Sequence, residues 1–196
     1  ENPLATGALG TPERGLTDVG RRAVRKIQDL GMILDVSHLN DASFWDLLDT
    51  ATGPVVATHS NCRALCNRPR NLMDYQLKEL ARTGGIVGLN SFNEFVHMEE
   101  DKQTLENLVK HLVHMVEVMG IDHVGFGFDF CDLFLKNSSA QDLSLMPEFP
   151  FDILSGGHAD IPDFLQDMKK HNYSDERISL LAGKNWLYAF EKILKK

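Results

Sequence analysis

The sequence predicts an α/β protein built as half of a (β/α)8 barrel, with a small open doubly wound sheet as the alternative. Three observations predict it. Apolar runs of strand length alternate four times with segments of helical period. The stretches between the runs are long enough for parallel crossovers. Three of the runs end in a residue suited to chemistry: the run from Met32 ends in His38, the run from Pro54 in His59, and the run from Val124 in Asp129. The C-terminal ends of strands are where such barrels keep their active sites. Closing the barrel takes about eight strands, so the 196 residues read as one domain, 1–196, spanning about half of it, with the N-terminal half absent.

The first fifteen residues, rich in Gly, Pro and Thr, read as loop. Thr17 caps a helix whose apolar positions Val19, Ala23, Val24, Ile27 and Leu30 keep a helical period, and Gly31 stops it. The strand 32–37 follows at once. Asn40, Asp41 and Ser43 offer caps for a short helix carrying Phe44, Leu47 and Leu48, which Gly53-Pro54 ends before the strand running to His59. After a polar loop over 60–73, Asp74 opens a helix closed by Gly84-Gly85, and Ile86 to Phe92 forms the third strand. The longest helix lies between about 102 and 119, with Leu105, Leu108, Val109, Leu112, Val116 and Met119 on one face and Gly120 as its stop. Val124 to Phe128 is the fourth strand. The segment 130–159 has little periodicity and reads as a functional loop or lid, with His158 as its candidate site residue. Helices over 161–170, 174–182 and 185–195 finish the chain.

A net charge of −8 and the lack of a basic, aromatic-interleaved stripe argue against nucleic acid or an anionic membrane as partner. No apolar stretch reaches the ~18–20 residues that span a bilayer. The N-terminus, which begins at Glu1, has no signal-peptide character. Cys62, Cys66 and Cys131 cannot all pair within one chain, and reduced thiols point to the cytoplasm.

His38 and His59 stand one strand–helix–strand unit apart, which puts them on neighbouring parallel strands at one level. Two imidazoles so placed can share a zinc ion. The alternative is a pair of hydrogen-bonded histidines near strand ends. Asp129 is a ligand or a proton acceptor for water acidified by a metal; otherwise it is a helix cap or an ion-pair partner. Gly125-x-Gly127 is no dinucleotide fingerprint, because the third glycine is absent. Three arginines, Arg63, Arg68 and Arg70, follow His59 closely, and a guanidinium matches a carboxylate bidentately. Arg63 and Arg68 read as members of a solvated loop. Asp35 lies mid-strand, facing a neighbouring strand, while His111 and His114 read as surface or packing residues of the long helix.

Taken together, several stretches resemble the renal (membrane) dipeptidase family of zinc peptidases. They are Gly15-Leu16-Thr17-x-x-Gly20-Arg21, Leu30-Gly31-Met32-Ile33-Leu34-Asp35-Val36-Ser37-His38 and Pro54-Val55-Val56-Ala57-Thr58-His59-Ser60-Asn61. Arg68-Pro69-Arg70-Asn71, Gly125-Phe126-Gly127-Phe128-Asp129-Phe130 and Leu181-Ala182-Gly183-Lys184-Asn185-Trp186 continue the match in order. The resemblance implies an amidohydrolase-like (β/α)8 TIM barrel, of which this chain covers about strands 5–8. It implies a dipeptidase that hydrolyses dipeptides, including those with a C-terminal D-residue, by metal-activated hydroxide. His38 and His59 become ligands of one zinc ion, Asp129 the catalytic acidic residue, and Arg70 the group that holds the substrate's C-terminal carboxylate. The family uses two zinc ions per site, and this chain supplies ligands for one. A homodimer, or association with the missing half, is the implied assembly.

The departures from the family are specific. Its first strand carries a His-x-Asp pair, found here only as His158-Ala159-Asp160 in the late loop, and its bridging glutamate has no counterpart. A non-catalytic, dipeptidase-like module that binds a peptide or partner is therefore the alternative, and a metal-free open α/β binding protein the third reading.

Overall fold

The structure is a computed structural model and describes residues 1–131, 137–139, 141 and 152–194. Most of the lid expected within 130–159, including Pro147 and Pro150, lies outside the described residues.

Four extended segments run parallel in sequence order. Two form a ladder, β1 (Val87–Leu89) and β2 (Val124–Phe126), with Val87 opposite Val124 and Leu89 opposite Phe126. The other two, 34–36 and 55–57, join through single parallel bridges, Asp35 with Val56 and Ala57 with Val87. The strands expected over 32–37 and 54–59 are thus much shorter than their apolar runs. Side chains intercept the backbone donors: the Asp35 carboxylate accepts from Ser37 N (2.9 Å) and Thr58 N (3.1 Å), and Ser37 Oγ accepts from His59 N (3.1 Å). Amides engaged this way cannot extend a ladder.

The helices lie where period and caps predict. Helix α1 (Asp18–Asp29) starts at Thr17, whose hydroxyl accepts from Gly20 N (3.1 Å). It ends at Gly31, which takes the left-handed φ of 68° that suits glycine. Helix α2 (Asp41–Thr50) is capped by Asn40, whose amide also donates to the carbonyls of Thr11, Pro12 and Arg14 and so ties down the N-terminal loop. In α3 (Asp74–Arg82) the first helical residue is Asp74, but the cap is Met73, whose N–H is taken by the Gln76 side chain at 2.8 Å. A single turn, α4 (Asn93–Val96), precedes α5 (Leu105–Met119), which is capped by Thr104, a little after the expected start near 102, and stops at Gly120 as expected. Helix α6 (Ile161–Lys170) matches its predicted span. The helix expected over 174–182 is instead α7 (Asp175–Ser179) followed by a widened turn to Lys184, where the backbone of Gly183 leaves helical geometry. Helix α8 (Asn185–Leu194) closes the described chain.

Leu108, Val109, Leu112 and Met115 of α5 are fully buried against Leu77, Leu80 and the parallel segments. Phe164 of α6 is fully buried edge-on to Phe126 and Phe128, at centroid distances of 5.2 and 5.3 Å. Burying such a ring contributes about 2–3 kcal/mol. Two glycines let the segments approach. A Cβ on Gly88 or Gly127 would lie 2.1 or 1.8 Å from the Thr58 carbonyl oxygen, so only glycine fits beside the backbone that leads into His59.

Candidate metal centre

His38, His59 and Asp129 meet at the C-terminal ends of the parallel segments. The Nε2 atoms of the two histidines are 2.9 Å apart, and Asp129 Oδ2 lies 3.9 Å from His59 Nε2. Two nitrogens each ~2.0–2.1 Å from one tetrahedral ion stand a little over 3 Å apart. The pair therefore fits a shared ion after a shift of a few tenths of an ångström. Among the described residues no group of three or more His, Cys, Asp or Glu is placed to hold a metal. The donor set here is a histidine pair with a carboxylate beside it.

The backbone at the site is strained. Among the described residues three non-glycines have positive φ, and two of them are His38 (72°) and Asp129 (65°); the third, Asn172, follows the C-terminus of α6. Left-handed geometry costs a non-glycine about 1 kcal/mol or more and concentrates at functional positions. Here it turns each side chain off its strand end and over the mouth.

The electrostatics shift both imidazoles towards the neutral form. Desolvation first, then the Arg70 guanidinium and His59, lower the pKa of His38, against the attraction of Asp129 and Asp35. For His59 desolvation again leads; the Asp129 carboxylate opposes it, Arg70 adds to it, and the net shift is downward. Neutral imidazole is the form that ligates metal. Burial alone would push the Asp35 carboxyl up, but the Thr58 hydroxyl and the N–H groups of Ser37 and Thr58 outweigh it and hold it low. Thr58 Oγ1 hydrogen-bonds both Asp35 Oδ2 and, at 2.8 Å, His59 Nδ1. Sequence reasoning placed Asp35 against a neighbouring strand but gave Thr58 no role; the signal was a hydroxyl residue directly before each histidine, Ser37 and Thr58.

Arg70 lies beside the pair on a loop held by its own hydrogen bonds. Leu72 N donates to Asn61 O, Arg63 N donates to Leu72 O, and the Asn71 amide bonds the carbonyls of Cys66 and Phe95. The Arg70 guanidinium is buried, donates from Nη2 to His59 O at 3.2 Å and stacks 5.2 Å above the Phe95 ring, while its Nε has no protein partner. A cation so held has donors left for an anion. Arg63 departs from the solvated-loop expectation: it forks onto the Asp41 carboxylate at 2.7 and 2.9 Å and pins the loop to α2. Arg68 reaches Glu94 at 3.7 Å on the surface. His158 does come to the site's rim, its ring edge-on to Phe130 at 4.9 Å, and both line a cavity that Asp129 borders.

A model of the membrane dipeptidase family (peptidase family M19) matches residues 1–195. An uncharacterised dipeptidase of Schizosaccharomyces pombe is 30% identical over 98% of this chain and 44% of its own. The crystal structure of a metallopeptidase from Rhodobacter sphaeroides, liganded with a phosphinate mimic of the dipeptide L-Ala-D-Ala, is 33% identical and superposes with a TM-score of 0.74, covering 94% of this chain and 49% of that one. An amidohydrolase from Pseudomonas aeruginosa shares the fold at 20% identity and a TM-score of 0.86, over 100% of this chain and 62% of its own. The chain spans less than two thirds of the curated relatives it matches, from 64% of one to 34% of another. The parallel segments described above are part of the TIM-barrel-type fold of these neighbours.

Proposed function

The chain belongs to the membrane dipeptidase family, and on that premise we propose that the protein is a zinc-dependent dipeptidase with His38 and His59 as ligands of one ion. The observation that carries this reading is the convergence of the two Nε2 atoms, 2.9 Å apart, with Asp129 beside them at the mouth. A bound zinc ion supplies Lewis acidity, polarising a peptide carbonyl and acidifying water. The chain's own residues do the rest. Arg70, with donors left over, holds the C-terminal carboxylate of a dipeptide and fixes its peptide bond at the mouth. Asp129, 3.9 Å from His59 Nε2, leaves room for a water whose proton its carboxylate accepts and later returns to the departing amine. Substrates with a C-terminal D-residue fit this reading, because the Rhodobacter relative was crystallised with a mimic of L-Ala-D-Ala.

In this reading the four parallel segments are strands five to eight of the barrel, within one domain. These residues would hold one of the two zinc ions the family resemblance implies, and the assembly is a homodimer or an association with the other half of the barrel. The cytoplasmic reading rests on the odd count of three cysteines, Cys62, Cys66 and Cys131; no helix among the described residues is long and apolar enough to cross a membrane.

A second reading, a non-catalytic module that binds a peptide or partner, draws on the two-histidine donor set. Both are tested by assaying the intact protein on L-Ala-D-Ala and L-Ala-L-Ala before and after chelation. Hydrolysis that a chelator abolishes and zinc restores supports the dipeptidase. Peptide binding without turnover, at full zinc loading, supports the module.

A further inference from the structure

We propose that Asp35 and Thr58 form a positioning relay that sets the tautomer of His59, keeping a proton on Nδ1 and presenting the lone pair of Nε2 at the mouth. The inference rests on the metal-site reading above and deepens it.

It follows from donor bookkeeping. Thr58 Oγ1 contacts three partners: Asp35 Oδ2, His59 Nδ1 at 2.8 Å and Ser37 Oγ at 3.5 Å, the last distant enough to leave the Thr58 proton to the nearer carboxylate. A hydroxyl has one proton, and an ionised carboxylate only accepts. The Thr58 proton therefore goes to Asp35, and the hydroxyl oxygen accepts from His59 Nδ1–H. A neutral imidazole protonated at Nδ1 has its lone pair on Nε2. That atom faces His38 Nε2 at 2.9 Å, so His59 accepts and His38 donates between the rings. Asp35 is itself held in place, because its other oxygen accepts from Ser37 N and Thr58 N. The His59 backbone N–H is anchored to Ser37 Oγ at 3.1 Å. Four residues from two neighbouring segments thus direct one imidazole. A hydroxyl between carboxylate and histidine extends the usual outer-shell arrangement, in which a carboxylate takes the ligand's second N–H directly.

The relay has a polarity, and polarity can be reversed. In Asp35→Asn the amide oxygen keeps the Ser37 and Thr58 N–H groups, and its NH2 takes the place of Oδ2. It then donates to Thr58 Oγ1, which turns its own proton onto His59 Nδ1 and leaves the imidazole proton on Nε2. Thr58→Val removes the relay without adding bulk, and Thr58→Ser restores the hydroxyl.

The test is nitrogen-15 NMR of the histidine side chains in the intact, chelator-treated protein, paired with zinc titration against a chelating dye. The wild type and Thr58→Ser are expected to show His59 protonated on Nδ1. Thr58→Val should lose that bias and Asp35→Asn should invert it, each weakening zinc about 10- to 100-fold, with Thr58→Ser near wild type. A wild-type His59 protonated on Nε2 overturns the relay. So does a Thr58→Val variant that keeps the wild-type tautomer and binds zinc within about twofold of wild type. Should Asp35→Asn fail to fold, the Thr58 pair decides. His59→Ala separates the two levels of the argument: zinc uptake unchanged in that variant ends the metal-site reading, whereas uptake lost there but unmoved by Thr58→Val ends the relay alone.

Discussion

His111 and His59 are chemically the same residue, and the structure puts them to opposite uses. His111, on α5, is 1% exposed; its Nδ1 accepts from Cys62 N at 3.1 Å and its Nε2 donates to Val96 O at 2.9 Å. Burial first of all drives its pKa down to about 4. His59 has one nitrogen on Thr58 and turns the other to His38 and Asp129 in an open mouth. The fate of the second nitrogen separates them: engaged by backbone, the ring is structure, and aimed into the mouth, it is available for the ligand role proposed above. His114 belongs with His111, its Nε2 being 2.8 Å from the Asp74 carboxylate.

The sharpest way to break the comparison is to remove each ring. His59→Ala should abolish zinc binding at its ion and cut dipeptide hydrolysis by about three orders of magnitude or more, since metal assistance contributes several kcal/mol to the transition state. His111→Gln should leave zinc content unchanged and lower the melting temperature. Metal analysis, kinetics and calorimetry on the two variants check the contrast, and zinc lost from His111→Gln would erase it.

Next in size is Asp129→Asn. It should lower kcat by about 10²–10⁴-fold as a proton carrier is lost, while zinc content and substrate KM hold. A fall in zinc content alongside kcat would make Asp129 a ligand.

A third effect is read at His111, whose downward shift His38 and His59 share in direction. Its folded-state pKa of about 4 lies below the ordinary 6.5, so the unfolded chain binds the proton first as pH drops. Its contribution is complete above pH 6.5 and shrinks as pH falls towards 4, at ~1.4 kcal/mol per pH unit and about 3 kcal/mol in all. Denaturant unfolding across that window should show the slope, and His111→Gln should reduce it, leaving the part that His38 and His59 contribute.

The smallest effect concerns Arg70. Arg70→Lys keeps the charge but loses the fork and the stacking on Phe95. The expected result is a rise in KM for dipeptides of about tenfold, the worth of one charge-assisted hydrogen bond, with kcat nearly unchanged. Steady-state kinetics reads the split.

Much of this was legible in the residues. Thr17, Asn40, Gly31 and Gly120 mark helix ends by local chemistry, since a hydroxyl or amide caps the amides just after it and glycine alone turns left-handed cheaply. The period of Leu105, Leu108 and Leu112 named the buried face of α5, and the strand-end positions of His38, His59 and Asp129 named the mouth. Zinc and a carboxylate-binding arginine were suggested by pattern, and the family resemblance assigned the carboxylate of the substrate's C-terminus to Arg70. Less legible were the Gly183 break after α7 and the Gln76 side chain that takes the Met73 N–H at the start of α3.

By itself, then, the sequence determined what depends on neighbours within a few residues: the α/β alternation, the caps, the buried stripe of α5 and the candidate ligands. Tertiary structure alone decided which donors meet across the 23 residues from Asp35 to Thr58. It also decided that the Thr58 carbonyl nests against Gly88 and Gly127, and that Arg63 locks onto Asp41 while Arg70, buried beside His59, keeps an Nε with no protein partner. The physical reason is that a hydrogen bond's worth to a site depends on its orientation and its competitors. Both are settled only when distant segments pack at ångström spacing and each amide finds one partner.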